Sequence, residues 1–84
     1  MKLMFSDQAW EDYLYWQKTD KKLLERISAQ IKDISRAPFE GIGKPELLKN
    51  ALSGYWSRRI NDEHSIVYKI SKGSFLIAQL RFHN

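Results

Sequence analysis

The residues best suited to chemistry lie in the second half of the chain. In its last apolar run, Leu76, Ala78, Leu80 and Phe82 alternate with Ile77, Gln79, Arg81 and His83. A strand with that alternation is expected to cover the core with the first set and leave Arg81 and His83 together on the other face. Arg59 shares a face with Ser57 in an earlier alternating run. Strands paired in order would then put Arg59, Arg81 and His83 on one basic sheet face, with Lys44, Glu46 and Lys49 brought to its rim by a stretch rich in glycine and proline.

Such a set is equipped to cut RNA without a metal, the 2′-hydroxyl acting as internal nucleophile. The reaction needs a base for that proton, an acid for the leaving 5′-oxygen, and cations for the charged phosphorane. With ordinary pKa values of about 4.3 and about 6.5, a glutamate is basic near neutrality and a histidine partly acidic. Removing one preorganised donor from such a site costs roughly 10²–10³ in rate, so the cations matter as much as the acid–base pair. Each residue taken alone also has a plainer reading. Glu46 reads as an exposed loop carboxylate, His83 as a frayed terminal residue, Arg58-Arg59 as a solvated strand face, and Lys44 and Lys49 as surface lysines. His64, in a turn after two acidic residues, reads as a structural hydrogen-bonding group.

The elements that must position these groups follow from the pattern. Lys2–Phe5 suits a short strand, and Ser6 suits a helix N-cap with Asp7 in the first turn. Trp10, Tyr13 and Leu14 recur at helical spacing over residues 7–18. Asp20 caps a second helix whose stripe is Leu24, Ile27, Ile31 and Ile34, with Lys21, Lys22, Arg26, Lys32 and Asp33 mostly on the solvated side. Pro38 stops it near Arg36. Pro38, Gly41, Gly43, Pro45 and Gly54 then break up residues 37–54, where a helical turn at 46–50 is expected. Beyond Gly54 the period becomes two, in runs around Trp56–Ile60, Ile66–Ile70 and Leu76–His83, joined by turn-like Asn61-Asp62-Glu63 and Ser71-Lys72-Gly73-Ser74. The fold class is α+β: helices first, then an antiparallel meander.

Composition bounds the function. At 84 residues and 43% hydrophobic, with 3 Trp, 4 Tyr and 4 Phe, the chain is expected to form a single domain, 1–84, around one core. The absence of cysteine excludes a disulfide framework, a zinc ribbon and a thiol nucleophile, and two histidines are too few for a histidine-built metal site; no cofactor or metal is expected. No run of 18 apolar residues suggests a membrane span, and Met1–Phe5 is too short for a signal-peptide core, so the cytoplasm is the expected location. Residues 1–40 carry seven basic and seven acidic side chains, whereas residues 41–84 carry seven basic and three acidic, so the whole excess of +4 lies in the second half. That asymmetry points to a polyanion such as nucleic acid, or to no more than lysines kept for solubility.

Read together, the motifs resemble the YoeB/Txe group of the RelE superfamily of bacterial toxin–antitoxin ribonucleases. The resemblance runs from Trp10-Glu11-Asp12-Tyr13 and Tyr15-Trp16 through Gly41-Ile42-Gly43-Lys44-Pro45-Glu46 and Tyr55-Trp56-Ser57-Arg58-Arg59-Ile60 to Asp62-Glu63-His64 and Phe82-His83. It implies a microbial-ribonuclease-like fold with an N-terminal helical hairpin packed on an antiparallel sheet. It implies a toxin that cuts mRNA in the ribosomal A site, a YefM-like antitoxin whose disordered C-terminal segment orders on binding, operator DNA bound through the antitoxin complex, and a homodimer. Glu46 falls on the family's general-base position and His83 on its general-acid position, and Lys49 and Arg59 fall on phosphate-holding positions.

Two positions depart from the family pattern. Ser65 stands where the resemblance implies an arginine that stabilises the phosphate, and Asn84 where it implies a tyrosine that touches the reacting nucleotide. Base–aromatic stacking is worth roughly 1–3 kcal/mol, and a lost cation costs a similar amount or more, so attenuated cleavage is expected. The competing reading is a catalytically silent module that holds antitoxin, operator DNA or the ribosome without cutting. A weaker third reading is an RNA chaperone, with binding to free RNA that falls steeply with salt.

Overall fold

The computed structural model describes residues 1–82; His83 and Asn84 lie outside the described residues. The order of elements is β1 (Lys2–Phe5), α1 (Asp7–Thr19), α2 (Lys21–Arg36), β2 (Glu46–Leu47), a 3₁₀ turn (Asn50–Leu52), β3 (Trp56–Arg59), β4 (Ser65–Ser71) and β5 (Ser74–Gln79). Both helices start where the caps predict. Ser6 Oγ accepts the Ala9 N–H at 3.0 Å, and Asp20 Oδ1 accepts the Leu23 N–H at 3.1 Å. Where a helical turn was the expectation for residues 46–50, Glu46 and Leu47 instead pair as a short strand with Ser57 and Trp56, and the turn follows them.

The strands form one sheet in the order β1-β5-β4-β3-β2. β3, β4 and β5 make the expected antiparallel meander, and β2 joins it antiparallel. The departure is at the far edge, where β1 runs parallel to β5. A strand joined to the rest through two helices is not bound to the antiparallel return that a tight hairpin imposes. The sheet is therefore mixed, with the helical hairpin packed on it.

The core draws Ala9 and Trp16 from α1, Leu23, Ile27 and Ile34 from α2, and Ile66, Tyr68, Phe75, Ile77 and Leu80 from the sheet side. Trp10, expected in the α1 stripe, is instead 49% exposed and stacked on Tyr13 at 5.5 Å. In α2, Leu24 and Ile31 are only partly buried, and Asp33, expected in solvent, is buried.

The last strand also differs from its alternation. Phe75 and Ile77 are the buried residues, not Leu76 and Ala78. Val67 pairs with Gln79 while Tyr68 pairs with Ile77, so Ala78 is an extra residue in the ladder. A bulge of one residue reverses the facing of everything beyond it, which is why Leu80 is buried as expected although Leu76 and Ala78 are not. Phe82, also expected in the core, is 59% exposed.

Candidate functional site

The pleat puts Glu46, Ser57, Arg59 and Ser65 on one sheet face. Glu46 lies opposite Ser57 across β2–β3, and Arg59 opposite Ser65 across β3–β4. With Lys44, Leu48 and Asp62 they line an open cleft of about 600 Å³. Lys44, Glu46 and Arg59 are exposed, whereas Ser65 is buried in its floor. The charged groups of that lining are two cations, Lys44 and Arg59, and two carboxylates, Glu46 and Asp62.

The loop that delivers Lys44 and Glu46 is built around a buried cation. Arg58, next to Arg59 but on the other side of the sheet, has no exposed surface. Its guanidinium makes five hydrogen bonds, to Tyr68 Oη (3.0 Å), Asp33 Oδ2 (2.6 Å) and the carbonyls of Ile42 (3.2 Å), Ala37 (2.6 Å) and Glu40 (2.9 Å). Five N–H groups is the full complement of a guanidinium, so none is left unmet in the interior. Tyr68 Oη in turn donates to the Pro38 carbonyl at 2.8 Å. Burial pushes the Tyr68 hydroxyl above its ordinary pKa, which keeps it a donor. The Asp33 carboxyl is held below the usual carboxylate range, first by the Arg58 hydrogen bond and then by the Ile42 N–H at 3.1 Å.

Glycine is required twice along this loop. At Gly41 (φ 118°) a Cβ would run into the Asp33 carboxylate; at Gly43 (φ 79°) it would meet Gln30 Nε2, the Arg59 carbonyl and Arg58 Cβ within 3.1 Å. The Gly43 carbonyl can thus accept the Arg59 N–H at 2.7 Å. That bond starts the path along β3 that leads to the Glu46–Ser57 pair.

The sequence-predicted residues do not all converge. Lys44, Glu46 and Arg59 come together in the cleft, and Ser65 stands with them. Lys49 is exposed at the start of the 3₁₀ turn and is not among the residues lining the cleft. Arg81 is turned away: β5 ends at Gln79, and the Arg81 guanidinium lies 3.8 Å over the Tyr15 ring, against α1. It does not line the cleft, so the basic face shared by Arg59 and Arg81 does not form among the described residues. His83 lies outside them. His64 is a structural hydrogen-bonding group, its Nδ1 accepting the Phe82 N–H at 2.8 Å.

The alternation assigned no role to Arg58, Asp33 or Asp12, although each carried a signal. Arg58 sits between Trp56 and Ile60 at the strand period. Gln30 and Asp33 follow Ile27 at helical spacing, and Asp12 lies between Ala9 and Trp16 in the same way. A polar residue on an apolar face marks a buried bond to be satisfied.

Comparison with known proteins matches this architecture to a family. The family described as YoeB-like toxin of bacterial type II toxin–antitoxin system matches residues 5–84. Toxin YoeB of Escherichia coli K12 is 57% identical over 83 residues, 99% of each chain. Among solved structures, a YoeB/ParE toxin from Agrobacterium tumefaciens superposes with a TM-score of 0.97 at 45% identity, covering 100% of both chains. The YoeB of a heterotetrameric YoeB–YefM toxin–antitoxin complex from Staphylococcus aureus gives 0.92 at 47%, covering 100% of this chain and 98% of that one. The chain belongs to the family of YoeB-like toxins of bacterial type II toxin–antitoxin systems.

Proposed function

We propose that this toxin is a ribosome-dependent mRNA endonuclease that cuts in the A site by metal-independent attack of the 2′-hydroxyl, and so stops translation. The observation that carries the reading is the meeting of Glu46 with Arg59 and Lys44 on one open face. Glu46 takes the 2′-hydroxyl proton, Arg59 and Lys44 balance charge on the phosphorane, and His83 protonates the leaving 5′-oxygen. Lys49, exposed beyond the cleft, holds an outer phosphate. Arg81 serves the fold through Tyr15 rather than the RNA. The ribosome supplies the alignment of the scissile phosphate, which makes cleavage of free RNA poor.

Activity is attenuated in this reading. With Ser65 at the cleft floor, the described lining carries two cations and two carboxylates, so no net positive charge for a phosphate comes from the described residues. The same observation favours a second reading, in which the chain docks on antitoxin, operator DNA or ribosome without cutting. The partner we infer is a YefM-like antitoxin, by likeness to the staphylococcal complex; a homodimer and operator binding through the antitoxin complex belong to the same proposal, as does action in the cytoplasm. No helix among the described residues is long and apolar enough to cross a membrane.

The test is a reconstituted translation reaction on a defined mRNA, with 5′ ends mapped by primer extension. Cuts inside the A-site codon that require ribosomes are the expected result. Stalled ribosomes on intact mRNA would establish the silent docking module instead, and neither stall nor cut would leave antitoxin binding alone.

A further inference from the structure

Three buried side chains outside the cleft spend hydrogen bonds on one short piece of main chain. β5 leaves the ladder at Gln79, so the peptide groups of residues 80–82 need other partners. Asp12 Oδ2 accepts the Leu80 N–H at 2.9 Å, and Trp16 Nε1–H donates to the Leu80 carbonyl at 2.9 Å. Two residues on, the Phe82 N–H donates to His64 Nδ1 at 2.8 Å, while the Phe82 carbonyl accepts the Ser65 N–H at 3.1 Å. Phe82 adopts φ 65°, a left-handed conformation that bulky residues avoid. The residue is 59% exposed, so burial in the core does not hold it there. What over-determines the strained peptide is the pair of hydrogen bonds, one on each side.

His64 is rigid enough for this task. Its carbonyl accepts the N–H groups of Ile60 (2.9 Å) and Asn61 (3.2 Å), and its own N–H donates to Asn61 Oδ1 at 2.8 Å. The imidazole is buried, with its centroid 4.7 Å from Trp16 in an edge-on contact. An Nδ1 that accepts an N–H leaves the ring proton on Nε2 and the ring neutral. The bond partner, Phe82, is followed on the chain by His83, and its carbonyl rests on Ser65 at the cleft floor.

We propose that His64 is a positioning residue: through Nδ1 it holds the Phe82 peptide in its left-handed conformation against Ser65, at the floor of the Glu46–Arg59 cleft. The catalytic consequence rests on the ribonuclease reading above, because it is the delivery of His83 that would suffer. The bond itself does not rest on that reading.

The test compares the parent chain with His64→Leu, which removes the acceptor, and His64→Asn, whose side-chain oxygen can sit near the position of Nδ1. One measurement is amide hydrogen exchange at Phe82, with Leu80, held by Asp12 and Trp16, as the internal control. The other is single-turnover cleavage on programmed ribosomes. Losing one such bond is expected to speed Phe82 exchange about tenfold in His64→Leu with Leu80 unchanged, and to lower the maximal cleavage rate about tenfold without moving the half-saturating ribosome concentration. His64→Asn should return both to within about threefold of the parent, since it restores the acceptor. Unchanged Phe82 exchange in His64→Leu overturns the proposal whether or not the parent cuts. So does a freed Phe82 with an undiminished cleavage rate, or an Asn variant no better than Leu. A parent that never cuts, with Phe82 freed by Leu and restored by Asn, overturns the ribonuclease reading and leaves the positioning of the peptide standing. If His64→Leu loosens Leu80 too, His64→Gln replaces it. Its oxygen sits where Nε2 was, so a Gln variant as well held at Phe82 as the Asn variant also overturns the proposal.

Discussion

Arg58 and Arg59 stand side by side on β3, and the pleat sends one through the sheet and the other onto its open face. Arg58 is fully buried, with all five N–H groups engaged by Asp33, Tyr68 and three loop carbonyls. Arg59 is exposed in the cleft with Glu46 and Lys44. The same side chain is therefore a structural cation in one position and a candidate ligand cation in the next. What separates the two is whether the charge is already saturated: a guanidinium with every donor used has nothing left for a phosphate. The two halves are also joined, since the loop wrapped around Arg58 is the one that brings Lys44 and Glu46 beside Arg59.

The sharpest way to break this division is to mutate the exposed side without touching the buried one. Glu46→Ala is expected to lower cleavage by roughly 10²–10⁴ and to abolish growth arrest, as loss of a general base does, while antitoxin binding and folding stay intact. Growth arrest that survives Glu46→Ala would move the chain to the silent docking class. The converse is Arg58→Met. It leaves Asp33 buried without its partner and strips three loop carbonyls of a donor, so a loss of about 3–5 kcal/mol in denaturant unfolding is expected. Arg58→Lys should recover only part of this, because an ammonium cannot reproduce the planar fork.

Arg59→Ala should do the opposite of Arg58→Met. Its stability should stay within about 0.5 kcal/mol of the parent, as for other exposed sites, and its cleavage rate should fall about 10²-fold through the lost cation. Comparable unfolding free energies for Arg58→Met and Arg59→Ala would erase the distinction between them. A smaller effect of opposite sign is expected from the two positions that depart from the family pattern. Ser65→Arg combined with Asn84→Tyr should raise cleavage at least about tenfold by restoring a cation and a stacking face. No gain from the double change would sink the idea that charge balance limits this site.

How much of this was legible in the sequence depended on how local each cause is. The caps at Ser6 and Asp20, the break at Pro38 and the change to strand period after Gly54 are decided within a few residues, and they appeared where expected. The facing of the last strand was not, because the extra residue at Ala78 is set by pairing with Val67 and Tyr68 rather than by its own neighbours. That single bulge, followed by the departure of the chain from the sheet after Gln79, is why Arg81 reaches Tyr15 instead of the cleft. The strand at Lys2–Phe5 was legible, but its place in the sheet was not, for a similar reason: parallel pairing with β5 joins residues about seventy positions apart and leaves no short-range mark. The grouping of Glu46 with Arg59 was visible as motif and alternation. The buried support beneath it was visible only as polar residues at apolar positions, which a reading by hydrophobic stripe assigns to solvent.

The finest test of the buried half is its response to acid. Asp33 is held below its ordinary value of 3.8 in the folded state, chiefly by the Arg58 hydrogen bond. The unfolded chain therefore binds that proton more readily than the folded one. The contribution to stability is fully present above 3.8 and drains away as pH falls through that value toward the lower folded-state one. Thermal midpoints of the parent and of Asp33→Asn should accordingly differ most near neutrality and converge below about pH 4, because acid performs on the parent what the substitution performs at every pH. Arg59→Ala, which touches only the open face, should run parallel to the parent across the same range. A gap between parent and Asp33→Asn that stays constant into acid would mean that the Asp33 charge contributes nothing to holding Arg58. The loop would then owe its shape to the carbonyls, Tyr68 and the two glycines alone.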